Sequence, residues 1–153
     1  MKFYMTYFYH IRNLSPSTLP ISINSGEPNW FHDMKDRKHM FRDKRGVWNG
    51  GYIDEISSSN LEIDGHEVCT DCGRQKLVGG NCPFMQAYKK KLDALDFDKV
   101  YSKLAKVVEH FGCEDICFVV YEKPDVLCGE RWVMIDWFKE HGVAIEEFKA
   151  KKL

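Results

Sequence analysis

No stretch of this chain approaches the roughly 20 consecutive apolar residues that a membrane-crossing helix requires, so no membrane partner is expected. Nor is one sign of charge in excess. The 22 Lys and Arg stand against 23 Asp and Glu, a formal net charge of −1, and coating nucleic acid generically needs a surplus of cations. The opening MKFYMTYFYH lacks the charged-then-apolar pattern of an export signal and reads as a strand, which gives the expectation of a cytoplasmic protein. Repeats and low-complexity tracts are missing too. What remains is an ordinary globular chain of 153 residues, with 44% apolar and 14% aromatic side chains to fill one buried core.

Cysteine is not scarce. Cys69, Cys72, Cys82, Cys113, Cys117 and Cys128 could make three bridges, but thiols in the cytosol are normally kept reduced, so metal, catalysis and plain burial must divide them. Segment 57–82 is rich in Gly, Ser, Asn and Asp with little apolar periodicity, and needs something other than a hydrophobic core to order it. It contains His66, Cys69, Cys72 and Cys82, an HxxCxxC followed by a further cysteine. Two thiolates at a CxxC turn can reach one ion, and Gly73 leaves the backbone free to aim its N–H groups at the sulfurs. Structural zinc takes four tetrahedral N and S ligands, which this set fills without leaving a position for substrate. The expectation is a zinc-knuckle-like insertion at 57–82 with a structural Zn2+. Cys113, Cys117 or another histidine could stand in for His66, and an iron–sulfur cluster or a redox CxxC are the other readings.

Elsewhere the pattern predicts one α/β domain over 1–153. FYMTYFYHI and LPISIN read as strands, and 32–46 as loop or surface helix followed by a turn-like WNGGY. Phe84, Tyr88, Leu92 and Leu95 recur at helical spacing, with Asn81 as a cap and Pro83 in the first turn. Val100, Leu104, Val107, Val108 and Phe111 mark a second helix, starting at Asp98 and ending at Gly112. ICFVVYE reads as a buried parallel strand, ERWVMIDWFKEHG as a third helix stopped by Gly142, and VAIEEF as a last strand. This order favours an α/β layer fold with a small, mostly parallel sheet flanked by helices.

Open parallel sheets bind ligands beyond the carboxyl ends of their strands, and helix N-termini there favour anions. VVYEKPDVLCGER places Glu122, Lys123, Cys128 and Arg131 in that position. A cysteine beside a helix N-terminus and an arginine is a candidate nucleophile, and Arg131 a candidate clamp for phosphate or carboxylate. The alternative is a buried turn cysteine and an ordinary ion pair. Thr6, Tyr9, His10 and Arg12 follow the first strand and could line the same edge, with His10 a candidate acid or base. Residues 35–45 hold six basic side chains near Trp30, Phe31 and Trp48, a possible nucleic-acid surface, although three Asp residues interspersed through 32–46 favour a solvated face.

In FYMTYFYHIRNL, LPISINSGEPNWF, LDALDFDKVYSKL and most of all ICFVVYEKPDVLCGERWVMIDWFKEHGV, the chain resembles a bacterial and phage family catalogued as domain of unknown function 488. Its members carry a tyrosine-rich first strand, a PISI-like second strand leading to Pro-x-Trp-Phe, and a Cys-Tyr-Glu-Lys-like strand followed by Cys-His-Arg opening a helix. The resemblance covers roughly two-thirds of the chain, from both ends inward. It puts Arg131 on the family arginine and carries over Glu122, while Glu130 stands at the histidine position, Cys128 is displaced by one residue and the cysteine-rich insertion is additional. It implies a Rossmann-like α/β fold and no established reaction.

Two functions from different classes follow. One is an enzyme or former enzyme acting on a small anionic, nucleotide-like ligand at the sheet edge, with His10, Glu122, Lys123 and Arg131 around it. The other is a zinc-stabilised phage or mobile-element module that engages nucleic acid or a host protein through residues 30–48 without turnover.

Overall fold

The computed structural model describes residues 1–32, 40–61, 82–126 and 128–149. His66, Cys69, Cys72, Asn81 and most of the 57–82 insertion lie outside this set, as does Arg37 of the basic run.

Four strands form a parallel sheet in the order β2-β5-β1-β6: β1 (Phe3–Tyr7), β2 (Thr18–Ser22), β5 (Asp115–Val120) and β6 (Ile145–Glu147). β5 lies between β1 and β2, pairing Phe3 with Ile116 on one side and Leu19 with Ile116 on the other. Ile116 to Val120 are fully buried, which accounts for the continuous apolar run in that strand. A two-stranded antiparallel hairpin, β3 (Phe41–Arg42) with β4 (Trp48–Asn49), occupies the described part of the segment expected as loop or surface helix followed by a turn.

Strand alternation sends Phe3, Met5, Ile21 and Phe118 to one face, where they share a core with three helices: α1 (Pro83–Asp93), α2 (Phe97–His110) and α3 (Glu130–Glu140). Tyr88 and Leu92 of α1, Leu104 of α2 and Trp137 and Phe138 of α3 are buried there to 1% exposure or less. The other face carries Cys117 and Val119 and is covered by Phe8, Ile11 and Leu14, with Phe31 and Val47, rather than by a helix. These come from a 3-10 segment at Phe8–Asn13, a short 3-10 turn at Asn29–Phe31 and the hairpin. The expectation of helices flanking the sheet thus holds for one face among the described residues.

Two local corrections have simple causes. The α2 cap is Asp96, whose carboxylate accepts from the N–H groups of Asp98 (3.0 Å) and Lys99 (3.3 Å), so Asp98 sits inside the first turn. Cys82, with Pro83 after it, occupies the N-cap position of α1. Among the described residues no helix is long and apolar enough to cross a membrane.

A loop from Tyr52 to Ser59 is tied to α1. Lys91 Nζ donates to the carbonyls of Asp54 (3.0 Å), Ser57 (2.7 Å) and Ser59 (2.8 Å), and the Tyr88 hydroxyl donates to the Ile56 carbonyl. Gly51 begins this loop against β2: a Cβ there would sit 1.9 Å from the Pro20 carbonyl oxygen, so only glycine allows the approach.

Candidate functional site

Beyond the carboxyl end of β1, the 3-10 segment turns Phe8 and Ile11 inward and leaves Tyr9 and Arg12 on the surface. His10 stacks on Tyr7, ring centroids 4.4 Å apart. After β2 the chain reaches the Asn29–Phe31 turn, which buries Phe31 against Phe8 at 5.1 Å and leaves Trp30 outward, 6.0 Å from Tyr9. Tyr121, at the end of β5, packs on the same Phe8 ring at 4.8 Å. Tyr9, Trp30 and Tyr121 are 63%, 45% and 44% exposed, and apart from Met1 they are the large hydrophobic side chains most open to solvent among the described residues. Single exposed apolar side chains are normal, but three grouped around one buried ring mark an interaction surface.

The hairpin brings cations to this surface. Asp43 Oδ1 accepts from the N–H groups of Arg45 (2.8 Å) and Val47 (3.0 Å), fixing the turn, and Arg45 Nη1 reaches the Arg12 carbonyl at 3.4 Å. Tyr9, Arg12, Trp30, Phe41, Asp43 and Arg45 then line a cavity of about 320 Å³, floored by Phe8, Ile11 and Asn49. Arg42 is engaged within the fold: Nη1 donates to the Gly46 carbonyl at 2.7 Å while the guanidinium covers the Trp48 ring at 4.3 Å. Of the basic and tryptophan-rich segment, therefore, Trp30 and Arg45 face the cavity and Arg42 and Trp48 pair with one another. A wider, open groove of about 840 Å³ runs past Tyr4, Ser17, Asp115, Glu146 and Glu147, but it is lined by three carboxylates against Lys149.

The residues after β5 form a separate, buried polar group. Arg131 is 1% exposed; its Nη1 donates to the Glu122 carbonyl at 2.7 Å, and its Nε lies 3.0 Å from Glu147 Oε1, an ion pair in distance without the alignment of a hydrogen bond. The guanidinium is therefore occupied inside the fold, between α3, the end of β5 and the edge strand β6. Burial lowers its pKa, opposed by the charges of Glu147 and Glu122, and burial raises that of Glu147, opposed by Arg131. Glu130, 6% exposed, accepts from the Ser58 hydroxyl at 2.8 Å. Burial and then the charge of Glu122 push the Glu130 carboxyl up to about 7, against the Ser58 hydrogen bond. Burial also raises Glu122, against hydrogen bonding to its own backbone and the Arg131 charge. Gly129 precedes α3 at φ 128°, where a Cβ would stand 3.4 Å from the Glu122 carboxyl.

The sequence-derived candidates therefore divide. Tyr9 and Arg12 share a cavity and His10 lies between them in the chain. Arg131 meets the main-chain carbonyl of Glu122 inside the protein, while a buried carboxylate oxygen of Glu122 has no hydrogen-bond partner among the described residues. Thr6 is fully buried in the sheet interior, its hydroxyl without a partner among the described residues, and Lys123 is exposed in the loop after β5. Cys128 lies with its Sγ 3.4 Å from that of Cys82, although 46 positions separate them. Among the described residues, no group of three or more His, Cys, Asp or Glu side chains is placed to hold a metal ion. Sequence reasoning did not single out Phe41, Asp43, Glu147 or Ser58. For Phe41 and Asp43 the missing signal was the hairpin itself; Glu147 was visible only as one of two adjacent glutamates in the last strand.

No family model, curated protein or solved structure matches the chain.

Proposed function

We propose that the protein binds a nucleotide-like anion in the cavity between the Phe8–Asn13 segment and the β3–β4 hairpin. The observation that carries this reading is the pairing of two exposed aromatic rings, Tyr9 and Trp30, with two arginines, Arg12 and Arg45, around one cavity of about 320 Å³. A planar base stacks on aromatic faces, and a guanidinium offers a forked donor to phosphate. The cavity lies at the low end of the usual range for small-molecule sites, the scale of a mononucleotide. It also lies where an open parallel sheet receives ligands, after the carboxyl ends of β1 and β2, and in that sense the fold is read as Rossmann-like.

Binding rather than turnover is the reading supported. The Arg131 guanidinium is engaged with the Glu122 main-chain carbonyl and with Glu147, and His10, stacked on Tyr7, does not by itself make an acid–base pair. Asp43 at the cavity wall would repel a ligand phosphate on its side and favours one oriented towards Arg12 and Arg45.

The test is titration of the purified protein with adenosine, guanosine, cytidine and uridine monophosphates, followed by calorimetry, beside Trp30→Ala and the double variant Arg12→Ala with Arg45→Ala. The reading expects saturable binding that falls about tenfold or more in each variant, since one stacked base is worth about 1–3 kcal/mol. Absence of binding to all four, or equal binding by the variants, would overturn it. Tight, salt-sensitive binding of single-stranded oligonucleotides without binding of the monophosphates would replace it with the nucleic-acid module.

A further inference from the structure

We infer that Cys82 and Cys128 are a dithiol that oxidises reversibly to one disulfide, a covalent modification site tying the start of α1 to the start of α3. This inference is independent of the nucleotide reading. Their sulfurs stand 3.4 Å apart across 46 positions, in contact but beyond the ~2.05 Å of a disulfide bond. The backbone beside each thiol is held. The Gln86 N–H donates to the Cys82 carbonyl at 3.0 Å, closing the first turn of α1, and the Trp132 indole N–H donates to the Val126 carbonyl at 2.8 Å, drawing the chain before Cys128 onto α3. The two helices pack on one another and share the Tyr52–Ser59 loop: the Ile56 carbonyl accepts from Tyr88 of α1, and the Ser58 hydroxyl donates to Glu130 of α3 at 2.8 Å. The fold, through contacts on both helices, brings the two sulfurs together.

The other two described cysteines sit elsewhere. Cys117 is fully buried on the sheet face opposite the helices. Cys113 precedes β5 whereas Cys128 follows it, and the Cys113 sulfur lies 3.9 Å from the Pro16 carbonyl and 3.8 Å from that of Phe111. Exposure sets the order of reaction. Cys128 is half-buried and Cys82 is only 9% exposed, so an oxidant from solvent reaches Cys128 first. The oxidant is a small-molecule disulfide, with oxidised glutathione as the probe. The Cys128 thiolate attacks one of its sulfurs; the reagent's S–S bond breaks, one half stays on Cys128 and the other leaves as thiolate. The Cys82 thiolate then attacks Cys128 Sγ, which forms the protein disulfide and expels the second half. Two protein thiols lose two electrons, and the reagent's bond is reduced to two thiols that take up the two protons released.

The experiment equilibrates the reduced 153-residue chain, free of oxygen, with set ratios of oxidised to reduced glutathione, then alkylates the remaining thiols and maps the bridges by mass spectrometry. The expected product is the Cys82–Cys128 bridge, opened again by excess dithiothreitol. Because the fold supplies the proximity, the oxidant ratio that half-forms this bridge rises about tenfold or more when the chain is unfolded in urea. In Cys82→Ser, glutathione is retained on Cys128, and in Cys128→Ser it reaches Cys82 about tenfold more slowly or less. Should either variant fail to fold, the mapping of the parent chain decides by itself. Cys82 and Cys128 that stay reduced at ratios oxidising the unfolded chain overturn the inference. So does a bridge from either of them to a third cysteine as the main product, an equal half-oxidation ratio with and without urea, or glutathione uptake by Cys82 as fast as by Cys128.

Discussion

Arg131 Nε lies 3.0 Å from Glu147 Oε1, and this contact joins the first turn of α3 to the edge strand of the sheet. The guanidinium is almost wholly buried while the Glu147 side chain keeps 27% of its exposure, so the pair is asymmetric: losing the carboxylate strands a buried cation, whereas losing the arginine leaves a carboxylate that water can reach. Glu147→Ala is expected to cost about 3 kcal/mol, and Arg131→Met, which fills the same space without charge, clearly less. Urea unfolding of the two variants checks the order. Equal losses would mean that the pair is not the principal partner of the guanidinium.

Two glycines are predicted to be irreplaceable for different reasons. Gly51→Ala drives a Cβ into the Pro20 carbonyl and should cost about 3 kcal/mol or more through forced backbone movement. Gly129→Ala meets no such clash but must hold φ near 128°, costing about 1–3 kcal/mol. Gly26→Ala, with nothing within 4 Å, is the control and should leave the unfolding midpoint unchanged.

The cap of α2 separates two neighbouring aspartates. Asp96→Ala should destabilise the fold by about 1 kcal/mol because two first-turn N–H groups lose their acceptor, and Asp98→Ala by less. Thermal melts of the two variants distinguish them, and the reverse order would move the cap.

Tyr88 supplies a pH dependence. Burial, then the charge of Glu130, raises its phenol well above the ordinary value. A raised pKa in the folded state means that the stabilisation is complete below the unfolded value of about 10 and is lost as pH rises towards the folded value. Tyr88→Phe should therefore be less stable than the parent near neutral pH, by about 1–2 kcal/mol for the unpaired Ile56 carbonyl, and the gap should narrow above about pH 10. Unfolding curves at both pH values check it; a gap that widens contradicts the assignment.

The sequence is most legible where one residue pattern admits one structure. The apolar run around Phe118 could only be a buried strand, and Val100, Leu104 and Val108 fall on one helical face. It is least legible where a tertiary contact decides. FYMTYFYHI stops being a strand at Tyr7 because Phe8 and Ile11 turn to cover Val119, and no local propensity announces that cover. The β3–β4 pairing is only two residues on each strand, too short for alternation to register. At the site, Tyr9 and Arg12 were accessible as residues following the first strand, but the position of Arg45 beside them depends on the Asp43 turn. Arg131 was found for its charge, and Glu147 then accounts for that charge inside the protein. The proximity of Cys82 and Cys128 spans 46 positions, a separation that spacing rules do not reach.

The most direct test of the account is to follow the backbone and tryptophan side-chain amide signals of the protein by NMR as adenosine monophosphate is added. The account predicts shifts concentrated at Tyr9, Arg12, Trp30 and Arg45, saturating together. Shifts confined to the groove by Glu147 and Phe148, or none at any residue, would contradict it.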